Sequence, residues 1–494
     1  MGPVATHRPE MAEPRAAAGA SDYLERERRL VREHYERIAE EREGWITRNP
    51  YYYRRLTDVL RFLIEPNRRV LQIRSDTGFL LASVRPSYGV GVDVSERMVQ
   101  VARRLHPELR FEVQDPERLD LHEPFDYVLV NSVHDIVDIQ ASLSQLQQVT
   151  ESRSRVLVIG YNALWRPLVR WAERMRLKMP QPAPNWLSAD DVKNLLSLAG
   201  FETVRTYGLF LLPIHVPLLS ELLNRVVVRL PFFRHFSFLY LVVARPAPCA
   251  EEASHATVSV IVPCKNEVGN IEPAVRRIPE MGLGTEIVFC DDRSTDGTAD
   301  EIRRVQAAYP ERHITLVEGP GICKAQNVWA GFEAASGEIL MILDADLSTM
   351  PEELPLFYDA IRRGTGEFIN GSRLVYPMQK QAMPSLNILG NACFSWAFTF
   401  LLGQRIKDTL CGTKALWRRD YERLKRFRGS WGVEDRWGDY ELLFGAARLH
   451  LKVIDLPVHY MERTYGETKM TKRFHNAWVM FRMCLAALVK LKFV

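Results

Sequence analysis

The sequence predicts an α/β protein of two domains, each built on a largely parallel sheet, and three observations carry that prediction. The chain has 494 residues, too many for one ordinary domain. Short apolar runs alternate with stretches of helical periodicity in both halves, the pattern of strand–helix–strand units. Several of those runs stop abruptly at acidic residues, and the carboxyl edge of a parallel sheet is where open α/β folds place their ligands.

The sharpest such edge is Ile339–Leu347, Ile-Leu-Met-Ile-Leu-Asp-Ala-Asp-Leu. Asp344 and Asp346 stand two apart, so an extended backbone points them the same way. Paired carboxylates suit Mg²⁺ or Mn²⁺, which take hard oxygen ligands and share them with substrate phosphates. Alone, the pair reads first as a solvated strand end or a helix N-cap; its surroundings change the weighting.

Composition is ordinary for a globular chain, 47% hydrophobic and 26% charged. A net charge of +4, with arginines spread along the chain, gives no footprint for nucleic acid. The 7 cysteines form no CxxC pair and no metal spacing, which favours a reducing compartment. Met1–Ala20 has no apolar core of a signal peptide and is expected to be a disordered tail. Leu386–Gly403 comes nearest to a membrane span but contains Asn387, Asn391, Ser395 and Thr399, so a core or interfacial role fits it as well.

Residues 21–245 should form the first domain. Asp22–Glu43 pairs Glu25 with Arg29 and Glu33 with Arg37 at i,i+4, an exposed charged helix. Val70–Ile73 and Gly89–Val94 read as strands, and Glu96–Arg104 as a helix capped by Ser95. Phe125–Val130 and Arg155–Ile159 are further strands. An acid, Asp93, closing the second strand is the arrangement that accepts ribose hydroxyls in mononucleotide-binding folds. Leu209–Val243 is apolar but broken by Pro213, Pro217, Pro231, Arg229 and Arg234, fit either to pack back on the domain or to dip into a membrane surface. Residues 246–256, with Pro246 and Pro248, read as a linker.

The motifs Val70-Leu-Gln-Ile-Arg-Ser-Asp-Thr-Gly78, Gly91-Val-Asp93, Asp115 and Phe125-Asp-Tyr-Val128 resemble class I S-adenosylmethionine-dependent methyltransferases, which have a Rossmann-like fold. The resemblance implies a cofactor site at Gly78, Asp93 and Asp115. One departure bears on it: Arg74 and Asp76 replace the first two glycines of the family's cofactor loop. Charged side chains there crowd the approach that glycine permits, and Asp76 repels the methionine carboxylate. The expectation is a domain that keeps the fold and binds S-adenosylmethionine poorly or not at all.

Residues 257–470 form the expected second domain. Strands at Val258–Pro263, Glu286–Cys290, Ile314–Val317 and Ile339–Leu343 alternate with helices around Ile271–Ile278, Thr298–Ala308 and Gly331–Ala335. Glu267, Asp291/Asp292, Lys324/Asn327 and Asp344/Asp346 then fall at strand ends of one sheet. With Val262-Pro-Cys-Lys-Asn-Glu267, Asp291-Asp-Arg-Ser-Thr-Asp-Gly-Thr298, Gly371-Ser-Arg373, Asp408-Thr-Leu-Cys-Gly412, Asp439-Tyr-Glu-Leu-Leu443 and Arg463-Thr-Tyr-Gly-Glu-Thr-Lys469, this set resembles family-2 glycosyltransferases of the GT-A fold, nearest the polyprenol-phosphate sugar transferases typified by dolichol-phosphate mannose synthase.

The resemblance implies roles. Pro263, Glu267, Asp291, Asp292, Lys324 and Asp344 would bind the nucleotide-sugar donor, and Asp344 and Asp346 the metal. Arg373, Arg463 and Lys469 would hold phosphates. If the acceptor is a hydroxyl, an acid must take its proton; the order of candidates is Asp439, Glu441, Asp435. If it is a lipid phosphate, the nucleophile is already anionic and those acids would position it. Ser348, where relatives often have Gln, and the sparse Gly-Pro-Gly loop before Lys324 depart from the pattern.

The C-terminal residues 471–494 place Ala477, Met480, Cys484, Leu488 and Leu491 at helical spacing among basic residues, as suits an interfacial helix on anionic lipid or an ordinary buried one. The expectation is a metal-dependent inverting glycosyltransferase that uses a polyprenyl-phosphate acceptor, cytoplasmic and peripheral at the inner membrane face. The first domain is expected to be methyltransferase-like and inactive. A bifunctional transferase that also methylates, transfer to a glycan hydroxyl, and a non-catalytic sugar-binding scaffold are the alternatives.

Overall fold

A computed structural model of the chain describes residues 15–182, 185–248, 255–375, 385–432, 434–461, 465 and 473–493. The chain divides into two compact units that part between Pro246 and Ala247. Each contains one seven-stranded sheet.

In the first domain the strands are β1 (Arg69–Ile73), β2 (Tyr88–Asp93), β3 (Arg110–Val113), β4 (Tyr127–Val130), β5 (Arg155–Tyr161), β6 (Phe201–Leu209) and β7 (Leu239–Pro246). Their order is β3-β2-β1-β4-β5-β7-β6, with the first five parallel and β7 antiparallel to β5. The strands are apolar runs rather than alternating ones because helices cover both faces, and two apolar clusters result, one on Leu60, Val70, Leu129 and Leu241, the other on Leu71, Val92, Val128 and Val242. The expected Ser95 cap is present, its hydroxyl accepting from Met98 N at 3.1 Å.

Two local expectations change. The first helix runs Arg15–Ile38, so it begins inside the stretch expected to be tail; the Ala-rich sequence at its start has high helix propensity. The proline-broken stretch splits: Leu239–Pro246 is an interior strand, while 219–236 forms short helical turns on the surface.

The second domain has β8 (Val258–Cys264), β9 (Thr285–Asp291), β10 (His313–Glu318), β11 (Ile339–Ile342), β12 (Phe368–Ser372), β13 (Lys414–Trp417) and β14 (Val453–Pro457). The order is β10-β9-β8-β11-β13-β12-β14. The first four are parallel, and β13 runs antiparallel between β11 and β12. Cys264 pairs with Asp291, and Asp291 with Glu318, so the acidic strand ends share one edge. Five cysteines, Cys264, Cys290, Cys323, Cys411 and Cys484, are buried and unbridged.

The Arg473–Lys492 helix packs against the helices Ser385–Leu402 and Asp439–Arg448. Met480, Met483, Cys484, Ala487 and Leu491 are buried, so the face expected to meet lipid is largely turned inward. Small and flexible side chains let that face approach its neighbours closely, and Trp478, Phe481, Leu485 and Val489 are left exposed instead. Among the described residues no helix is long and apolar enough to cross a membrane.

Candidate active site

Antiparallel pairing explains the centre of the site. Ile342 near the end of β11 faces Lys414 at the start of β13, so a lysine is delivered to the edge where Asp344 and Asp346 emerge. Lys414 is fully buried, with its Nζ 2.6 Å from Asp439 Oδ1 and donating also to the Cys411 carbonyl. The other cation is Lys324, which opens the Lys324–Ala334 helix rather than preceding it in a loop; its Nζ lies 2.5 Å from Asp344 Oδ1.

These charges form one cluster. Burial by itself would raise the Asp344 carboxyl, but Lys324, then Lys414 and Arg373, outweigh it and hold the group below the usual range. Burial likewise opposes the Lys324 ammonium, and Asp344, Asp439 and Asp346 together push it up. Asp346 bends back: its Oδ1 accepts from Ser348 N at 3.0 Å and from Ser348 Oγ at 2.7 Å. The turn needs Leu347 at φ +50, a left-handed conformation that costs a branched apolar residue about 1–2 kcal/mol and is typical of functional loops. A Cβ on Gly412 would lie 2.2 Å from the Asp344 carboxylate, so only glycine lets that loop close over the acid.

On the nucleotide side, Asp291 Oδ2 accepts from Ser294 N at 3.1 Å while its buried Oδ1 has no partner among the described residues. Asp292 accepts from Gly321 N at 2.8 Å and from Lys265 Nζ at 3.1 Å. Glu267 accepts from Asn270 Nδ2 at 2.8 Å. Pro263, half-buried, sits in β8 opposite Cys290. Asn327 Nδ2 donates to the Cys290 carbonyl at 2.6 Å, tying the Lys324 helix to β9.

The three acids considered as a base are all engaged. Asp435 accepts from the backbone N–H groups of Trp437, Tyr440 and Glu441 at 2.9–3.0 Å, so it caps the Asp439–Arg448 helix. Asp439 is paired with Lys414, and Glu441 accepts from Gly429 N at 2.9 Å. Burial pushes the Asp435 and Glu441 carboxyls upward.

Arg373 is also taken: it grips Asp408 with Nε at 2.7 Å and Nη2 at 2.9 Å, a bidentate pair with Tyr460 beneath the guanidinium. Arg463 and Lys469 lie outside the described residues. Lys414 and the Asp408–Arg373 lock were not singled out from the sequence. The signal for Lys414 was a charge heading an apolar strand two residues after Gly412.

In the first domain the loop after β1 keeps its glycine-type backbone without the glycines. Arg74 has φ +58 and Asp76 φ +53, and Gly78 follows at +82. The Arg74 guanidinium lies over the Tyr35 ring at 4.3 Å and 3.4 Å from Asp93 Oδ1. Arg42 pairs with Asp76 at 2.5 Å, and Arg28 reaches Glu117 at 2.8 Å and Asp115 at 3.9 Å. Each acid of the expected cofactor site therefore already has a cation of this chain beside it. A cavity of about 460 Å³ remains next to the loop, with Tyr52, Tyr53, Trp165 and Phe238 in its wall.

Comparison with known proteins matches residues 259–440 to the family description "Glycosyl transferase family 2" and residues 45–206 to "Methyltransferase domain". A dolichol-phosphate mannosyltransferase of Pyrococcus furiosus is 31% identical over 43% of this chain and 59% of that protein, so the chain spans little more than half of that relative. An undecaprenyl-phosphate mannosyltransferase of Micrococcus luteus is 27% identical over 43% of this chain and 87% of that protein. Among solved structures, an S-adenosylmethionine-dependent methyltransferase of Thermotoga maritima is 19% identical, covering 44% of this chain and 99% of that one at a TM-score of 0.35.

Proposed function

We propose that this chain, which carries a family-2 glycosyltransferase domain over 259–440 and a methyltransferase domain over 45–206, transfers a sugar from a nucleotide-sugar to a polyprenyl phosphate with inversion. One observation favours this acceptor: Asp435 is taken by backbone N–H groups, Asp439 by Lys414 and Glu441 by Gly429 N, so a hydroxyl would have to compete with these partners for a base. A phosphate monoester needs no base, because its second pKa is near 6 and its oxygen arrives anionic. The names of the relatives, mannosyltransferases to dolichol and undecaprenyl phosphate, point the same way.

Asp344 and Asp346 fit a divalent ion as a donor set: two carboxylates on one strand edge, one held against a cation that a metal would replace. A bound Mg²⁺ or Mn²⁺ would supply neutralisation of the charge growing on the leaving nucleoside diphosphate. Lys324, released from Asp344, would meet a diphosphate oxygen, and the unpartnered Asp291 Oδ1 would accept from the donor's base. Pro263, Glu267 and Asp292 would shape the nucleotide side. The buried Lys414–Asp439 pair braces the floor of the site, and Arg373 supports the wall through Asp408. Arg463 and Lys469 would add phosphate contacts. A lipid acceptor places the chain peripherally at a membrane face, on the side where nucleotide sugars are found.

For the methyltransferase domain, the pairing of Arg74 with Asp93 and of Arg28 with Glu117 and Asp115 supports a domain that no longer takes S-adenosylmethionine. The test of the transfer reaction is incubation of the full chain with labelled nucleotide sugars, polyprenyl phosphate and Mn²⁺ or chelator. Labelled lipid that forms only with metal supports the reading. Label on a glycan hydroxyl, or none on lipid with any donor, overturns it.

A further inference from the structure

The first domain carries an apolar surface that the transfer reaction does not use, at the rim of the cavity that also reaches Arg74, Asp76 and Asp93. The Arg166–Arg174 helix is anchored by one buried residue, Val169, and shows solvent Leu164, Leu168, Trp171, Met175 and Leu177 around it. Beside it lies the 213–236 excursion, where Leu218 is 87% exposed and Phe232 68%, with Ile214 and Phe236 exposed too. The two segments are joined: Asn162 Nδ2 donates to the His235 carbonyl at 2.7 Å, and Trp165 Nε1 to the Phe236 carbonyl at 2.9 Å. Phe232 packs its ring against both Phe233 and Phe236, so the apolar groups form a cluster rather than scattered points.

A soluble surface rarely leaves this many large apolar side chains uncovered in one place. The charges among them are mostly positive, with the exposed Asp190 of the neighbouring helix the acid that acts on Arg234. Residues 163–178 hold five cations, Arg166, Arg170, Arg174, Arg176 and Lys178, against the single acid Glu173, which is itself paired with Lys178 at 3.0 Å. Residues 213–236 hold Arg225, Arg229 and Arg234 against Glu221, and Glu221 is paired with Arg225 at 2.5 Å. Exposed Trp, Leu and Phe interleaved with arginine is the composition of a surface that sits at the headgroup level of an anionic bilayer. The cavity opens in the same face: Leu168, Trp171 and Leu177 from one segment and Leu212, Pro213 and Ile214 from the other line it.

We infer that this face of the methyltransferase domain docks on an anionic bilayer, with the cavity mouth turned toward the lipid. The inference goes beyond the transfer reaction and stands on different residues, those of the other domain. In this arrangement the domain is a membrane-targeting module, and its cavity is placed where the chain of a bilayer lipid can enter it.

The experiment is co-sedimentation of the full chain with vesicles of phosphatidylcholine alone or with about 30% phosphatidylglycerol, without donor sugar. Binding is expected to anionic vesicles and to fall at least tenfold in Arg170→Glu/Arg174→Glu and in Phe232→Glu/Phe236→Glu. The quenching of tryptophan by brominated lipid chains should shrink in Trp171→Phe. These positions are exposed, and thermal melting identifies any variant that fails to fold; the arginine pair then carries the test. The inference is overturned if binding survives both pairs, if only Trp478→Glu in the C-terminal helix abolishes it, or if the face instead drives concentration-dependent self-association without vesicle binding. Sugar transfer measured in detergent is expected to persist in all these variants, which separates this result from the fate of the transferase reading.

Discussion

Replacing Lys414 by methionine removes one partner of a buried ion pair and leaves Asp439 without its hydrogen-bonded cation, with only the more distant Lys324 to attract it. The Lys414 side chain is wholly inaccessible and that of Asp439 only 6% exposed, so solvent cannot compensate the orphaned carboxylate. Breaking such a pair costs about 3–5 kcal/mol, whereas removing both charges together is close to neutral. Both this variant and the double variant Lys414→Met/Asp439→Leu lose the Lys414 hydrogen bond to the Cys411 carbonyl, so that loss cancels between them. The single variant should therefore be less stable than the double by about 3–5 kcal/mol. Two domains make a single global unfolding free energy ill-defined. Hydrogen exchange read on peptides from β13 and the Asp439–Arg448 helix isolates the local opening energy. Equal exchange in the single and double variants would refute the reasoning, because it would mean the pair is not carrying a desolvated charge. Sugar transfer should be lost in both.

His134 sits buried with a pKa drawn down by burial, partly offset by Asp135, from 6.5 to about 4, so it is neutral in the folded first domain. The unfolded chain takes up that proton first as pH falls, so about 3 kcal/mol of stability should drain away between pH 6.5 and 4; thermal melts of His134→Gln, which has no proton to take up, should lack this sensitivity. Asp408 runs at lower pH: burial opposes its charge, but Arg373 outweighs it and holds the carboxyl at about 2 against an ordinary 3.8. Its contribution of about 2 kcal/mol is full above pH 4 and vanishes as pH falls through 2, so the gap between wild type and Asp408→Asn in urea unfolding should narrow over that window. Calorimetry with S-adenosylmethionine should show no binding tighter than about 1 mM by the wild type. Arg74→Gly/Asp76→Gly, which frees Asp93 from its cation and relaxes two left-handed residues, should bind measurably.

The sequence made the strand edges legible because apolar runs that end in acids have few structural solutions. Asp291, Asp344 and Asp346 fall on one edge of one parallel sheet, as their order along the chain implied. Arg74 and Asp76 were readable as intrusions into a glycine loop. That the backbone would hold their left-handed angles was not readable, since propensity argues against it. The pairing partners were hidden for a common reason. Lys414 meets Asp439 and Arg373 meets Asp408 across 25 and 35 residues, through an antiparallel strand inserted in a parallel sheet, and no local pattern encodes that insertion. The C-terminal helix was ambiguous because it is apolar on more than one face; packing on two neighbouring helices decides which face is buried.

Calorimetric titration of the full chain with nucleoside diphosphates, with Mn²⁺ or with chelator, tests the central claim most directly. The account predicts that one nucleotide binds only with metal and that Asp344→Ala abolishes the binding, since that carboxylate is the one Lys324 holds at 2.5 Å in readiness for exchange. Nucleotide binding that ignores both the chelator and Asp344→Ala would contradict it.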